Sequence, residues 1–183
     1  VYMQLKDMGK TRSATVALCI AAVALQIGFA PQIEVMGGRI NFMLILACVF
    51  ILSGDTHRAT IAGFFCGIAY DLTASVPVGL MSLILTVACF VSSGMFRGVQ
   101  IGLNPNALRC TAIVMFAVNV LYGLLLFFMH VQTDLFWAII GHGLSSTLLS
   151  LLVAVPFFVL AGSALSQGGF SARSRGTRYK GLR

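Results

Sequence analysis

Residues Ala59 to Gly79 read ATIAGFFCGIAYDLTASVPVG, the one stretch of the chain that combines apolar sequence, small residues, a carboxylate and a proline turn. On a helix, Ala59, Gly63, Gly67 and Asp71 recur every four residues and therefore share a face. In lipid an apolar side chain gains little by leaving one apolar solvent for another, so helices associate by close van der Waals packing, which small residues permit. The stripe is thus a candidate helix-packing seam. Asp71 is the only acid inside a hydrophobic segment, and an ionisable group at membrane depth costs about 2.5 to 3.5 kcal/mol on insertion scales. The residues alone leave three roles open for it: a carboxylate reaching the headgroups, one held by protein donors or a partner's segment, and a transport ligand.

Working outward, the composition places this stretch in a membrane. Of 183 residues, 58% are hydrophobic and 9% charged, against about 25% charged in a soluble domain. The formal net charge of +7 comes from basic residues at the ends and in short loops, which reads as topology and headgroup contact and excludes a nucleic-acid role. Cys19, Cys48, Cys66, Cys89 and Cys110 lie singly, without CxxC or paired histidines, and read as inert buried thiols.

The apolar pattern predicts an all-α integral membrane protein of six spans in one domain, residues 1–162, followed by a basic tail, 163–183. The spans run from Ala14 to Ala30 (uncleaved, closed by Pro31), Ile40 to Ser53, Ala59 to the break at Thr73–Pro77, Val78 to Ser93, Cys110 to Met129, and Leu135 to Gly162, the last long enough to tilt or kink at Pro156. Gln26 is expected to face protein. Asp55 or Thr56 is expected to cap the third helix, and Gly94 to Arg109 forms the longest internal loop. Arg173, Arg175, Arg178, Lys180 and Arg183, set among Ser and Gly, make a tail disordered when free and suited to anionic lipid or a cytoplasmic partner. With six spans, eleven basic residues fall on the side of the termini and Arg39 alone on the other. The positive-inside rule then puts both termini in the cytoplasm, and Asp71, Pro77, Glu34, His130 and Asp134 near the outer face.

Catalysis finds little support. His142 and Ser145 or Ser146 lie three or four apart on a helix, within reach of each other, but no GxSxG accompanies them and small polar residues also pack helices. Asp55-Thr-His57 offers two ligand types in a short turn without a third, which reads as a solvated turn and a cap. Asp71 has no acidic neighbour within a helical turn, and no phosphate loop or acidic metal cluster is present. Neither metal nor cofactor is expected.

Ile40-Asn41-Phe-Met-Leu-Ile-Leu46, then Gly63-Phe-Phe-Cys-Gly67-Ile-Ala-Tyr-Asp71-Leu, then Pro77-Val-Gly79-Leu, together resemble the rod shape-determining MreD family. The likeness covers residues 40 to about 90, with the remainder similar in size, span count and orientation. Ile40 and Val76 depart from the Pro and the small residue usual in that family. The resemblance implies a six-helix protein of the bacterial cytoplasmic membrane with no enzymatic activity, similar in fold to the substrate-binding subunits of energy-coupling-factor vitamin transporters. It implies MreC as partner, within an elongation complex that includes RodA, its class B penicillin-binding protein and MreB filaments; a homodimer is a further arrangement left open. Asn41, Ala59, Gly63, Gly67, Asp71, Pro77 and Gly79 become the residues expected to serve helix packing or partner contact. The alternative is a vitamin-binding transporter subunit, for which Ala17, Ala21 and Ala24 on the first span would face a scaffold.

Overall fold

The structure, a computed structural model, describes residues 2–35, 38–74, 78–99, 104–130 and 143–166. The described chain is mostly helical: α1 (Tyr2–Gly28), a 3-10 turn (Ala30–Gln32), a hairpin of β1 (Glu34–Val35) and β2 (Gly38–Arg39), then α2 (Phe42–Leu52), α3 (Thr56–Thr73), α4 (Leu80–Met95), α5 (Pro105–Phe128) and α6 (Ser145–Ser166). The hairpin is antiparallel, with Glu34 opposite Arg39 and Val35 opposite Gly38.

Helix α2 occupies the centre. Its sequence, FMLILACVFIL, has no polar face, and ten of its eleven residues are buried. A helix apolar all round can only be surrounded by protein or lipid; here α1, α3, α4, α5 and α6 all pack on it. At 1.5 Å per residue it is about 16 Å long, roughly half the 30 Å hydrocarbon core. The surrounding helices turn apolar side chains outward instead: Ile20 and Ile27 on α1, Phe64 and Phe65 on α3, Leu83 and Phe90 on α4, Ile113 and Phe116 on α5, Leu148 and Leu152 on α6 are all exposed.

Among the described residues, three stretches are both long and apolar enough to cross a membrane: Ser13–Gln32, Pro105–Phe128 and Ser145–Gly162. Helices α2 and α4, which fall in the expected second and fourth spans, are apolar but shorter, because a run of apolar residues fixes burial but not length. Two boundaries also move. The fifth helix begins at Pro105, five residues ahead of Cys110, since proline at the first helical position surrenders an amide that has no partner anyway; the expected loop from Gly94 to Arg109 is correspondingly shorter. The last helix continues to Ser166, past the expected end at Gly162, with Pro156 inside it. The expected start of that span at Leu135, and the tail residues Arg173, Arg175, Arg178, Lys180 and Arg183, lie outside the described residues.

The most extensive helix pairing is α3 against α4. It brings the Ala59 to Asp71 stripe to the site described next.

Candidate functional site

On α3 the buried residues are Ala59, Gly63, Cys66, Gly67 and Asp71, the four-residue stripe plus one neighbour. The glycines set how closely α4 approaches. A Cβ on Gly63 would lie 2.6 Å from Cys89 Sγ and 2.9 Å from the Leu85 carbonyl oxygen. On Gly67 it would overlap the Cα of Ser82, a backbone atom that cannot rotate away. Helix α4 thus rests directly on the backbone of α3.

Asp71 closes the upper end of this contact. It is 1% exposed, and its carboxylate accepts three backbone N–H groups from the start of α4. Gly79 and Ser82 donate to Oδ2 at 2.9 and 3.1 Å, and Met81 donates to Oδ1 at 3.1 Å. The first amides of a helix have no intrahelical acceptor, and the N-cap residue of α4 is Gly79, which has no side chain to offer them. Asp71 takes over that role from the preceding helix, placing a carboxylate at the positive end of the α4 dipole. Gly79 is at the cap because its φ of +105° suits glycine; no neighbouring atom would obstruct a Cβ there. Pro77 lies outside the described residues.

Asn41 does for α2 what Asp71 does for α4, with help from two other helices. Its Oδ1 accepts the Leu44 amide at 2.9 Å, as an N-cap side chain should. Gln26 Oε1, from α1, accepts the Phe42 amide at 2.9 Å. Ser150 Oγ, from α6, accepts the Asn41 amide at 3.1 Å, and Ser146 Oγ accepts that of Arg39 at 3.2 Å. Close by, Asn119 Nδ2 on α5 donates to Thr147 Oγ1 at 3.0 Å, and that hydroxyl donates to the Gly143 carbonyl. The serines of the His142–Ser146 run are therefore drawn into packing against β2: Ser146 accepts from Arg39, and Ser145 packs where a Cβ on Gly38 would strike it, at 2.7 Å. His142 lies outside the described residues.

At the opposite end of α3, Asp55 caps the helix through the Arg58 amide at 3.3 Å and pairs with the Arg58 side chain at 3.0 Å. His57 beside it is exposed, and no group of three metal-ligating side chains occurs among the described residues. The approach of Glu34 or Asp134 to Asp71 falls outside what is described.

Several contacts go beyond the sequence reading. The short hairpin, in which Val35 pairs with Gly38, is one. Ser82 and Ser150 carry no marker beyond being small and polar in an apolar run, and Ser146, weighed beside His142, carries none for its role as acceptor of the Arg39 amide. Gln26 was expected to face protein, but its acceptor role at Phe42 depends on a contact across 16 residues. Tyr70 and Tyr122 meet edge to face, with ring centroids 5.9 Å apart, joining α3 to α5. No family model, curated protein or solved structure matches the chain.

Proposed function

We propose that this chain is a non-enzymatic, multi-pass scaffold of the bacterial cell-wall elongation complex, supporting rod shape by binding MreC. One observation carries the reading. The residues that resemble the MreD pattern, Asn41, Gly63, Gly67, Asp71 and Gly79, are all engaged in fixing backbone against backbone. A reactive or ligand-gripping motif would turn its polar atoms into a cavity; Asn41 and Asp71 turn theirs onto helix N-termini. That is the chemistry of a rigid platform.

In this reading the polypeptide crosses the cytoplasmic membrane six times with both termini in the cytoplasm, in a fold similar to the vitamin-binding transporter subunits. The α3–α4 pair carries the partner surface. Its outward face holds exposed Phe64, Phe65, Leu83, Val87 and Phe90, rigidly presented because the inward face is locked. MreC binds there, RodA, the class B penicillin-binding protein and MreB assemble around it, and the basic tail meets anionic lipid.

The test is recovery of MreC with the detergent-extracted protein. The wild type retains it, and Phe65→Ala with Phe90→Ala loses it while folding normally. Failure of the wild type to retain MreC, or tight binding of a vitamin by the purified protein, overturns the proposal.

A further inference from the structure

Beside the seam, α1 and α3 part to leave a cavity of about 480 Å³, lined by Val23, Gln26 and Ile27 of α1, Pro31 of the following turn, and Ala69, Leu72 and Thr73 of α3. It opens outward past Ile27 and Leu72, which are 62% and 73% exposed. Pro31 lies just beyond α1, and Thr73 is the last residue of α3. The cavity therefore sits at one end of both helices.

Its chemistry is lopsided. Five of the seven lining residues are apolar, and the Thr73 hydroxyl already donates to the Tyr70 carbonyl at 2.8 Å. Gln26 is 4% exposed. Its Oε1 is committed to the Phe42 amide, which identifies Nε2 as the other atom of the amide, and no described residue accepts from that nitrogen. The amide nitrogen is thus the one side-chain donor of the lining left without an acceptor among the described residues, beside a groove that is otherwise mostly apolar.

The geometry points to this groove as a binding site for one acyl chain of a membrane glycerolipid, with the ester carbonyl accepting a hydrogen bond from Gln26 Nε2. The inference rests on the chain lying in a membrane and not on any role in wall synthesis. The occupant must be apolar along most of its length and carry a single acceptor near one end, which describes an ester-linked chain. A vitamin would need several polar partners that this groove does not offer. A partner helix, a cylinder about 10 Å across, would fill the volume in roughly one turn, too little for a stable helix contact. The volume itself falls within the roughly 300 to 1,000 Å³ of small-molecule sites.

Native mass spectrometry of the full chain in detergent, titrated with dipalmitoyl phosphatidylglycerol and with its ether-linked analogue, tests this directly. The wild type holds one diester lipid at least tenfold more strongly than the ether analogue. Ala69→Phe, which fills the groove, removes that bound lipid. Gln26→Glu keeps the acceptor for Phe42 but loses the donor, so it lowers diester binding to the level of the ether lipid. Should Ala69→Phe fail to fold, Leu72→Trp at the exposed rim has the same expected result. Equal lipid retention by wild type and by a folded groove-filling variant overturns the proposal, as does a photo-crosslinker at Leu72 that captures protein instead of lipid in membranes. MreC recovery is a separate readout, so either proposal can fail without the other.

Discussion

Asp71 Oδ2 accepts the Gly79 amide at 2.9 Å across a sequence separation of eight residues, so the N-terminus of α4 is capped by a side chain belonging to the helix before it. The two helices share one polar joint. Met81 and Ser82 complete it, and the glycine contacts below it bring α4 close enough for the carboxylate to reach.

Removing the carboxylate should therefore loosen α4 first. In Asp71→Ala, the buried amides of Met81 and Ser82 lose their acceptors, and each unpaired buried donor costs about 1 to 3 kcal/mol. Thermal unfolding in detergent is expected to rank wild type above Asp71→Asn, which keeps one acceptor oxygen, and Asp71→Asn above Asp71→Ala. An Ala variant as stable as the Asn variant would show that the bonds to Asp71 do not hold the joint.

The glycines of the chain divide sharply by position. Gly67→Ala places a methyl group against the Ser82 backbone, and forcing extra volume into a packed site costs about 1 to 3 kcal/mol. Gly94→Ala, where a Cβ meets nothing within 4 Å, should instead be neutral or gain up to about 1 kcal/mol through helix propensity. Paired melting curves check both, and a stable Gly67→Ala would mean that α4 sits farther from α3 than described.

At the head of α2, Asn41→Ala removes the acceptor for Leu44 and should cost about 1 kcal/mol, the usual loss of an N-cap, while Asn41→Asp retains most of the stability. The readout is the denaturation midpoint of the purified protein. Loss on substitution by Asp comparable to that by Ala would assign Asn41 a role other than capping.

Thr111 offers the opposite experiment. The residue is 2% exposed and its hydroxyl is buried without a hydrogen-bond partner among the described residues, so the fold bears its desolvation with nothing in return. Thr111→Val, nearly isosteric, is expected to raise the unfolding midpoint by the equivalent of about 1 kcal/mol. A fall of that size would reveal a partner for the hydroxyl.

Much of the seam was legible because a four-residue period maps directly onto a helix face: Ala59, Gly63, Gly67 and Asp71 could be placed together without knowing the fold. The duty of Asp71 was not. Three roles were open, and choosing among them required knowing that the chain turns back so that the start of α4 meets the end of α3. A cap at Asp55 or Thr56 was readable from position before an apolar run, and the structure selects Asp55. The supports of α2 were hidden for a plainer reason. Gln26 lies 16 residues from its partner and Ser150 lies 109 from Asn41, distances over which local sequence carries no signal. The same holds for the depth of α2: hydrophobicity marks FMLILACVFIL as buried but does not say whether lipid or protein surrounds it.

The acceptor for the Asn41 amide is made 109 residues after it, and this orders events during synthesis. At roughly 5 to 20 residues per second, α6 leaves the ribosome on the order of 10 s after α2. Gln26 is already in place, having been translated ahead of Phe42. The central helix thus begins life leaning on the first one, and the newest part of the polypeptide finishes one of its earliest.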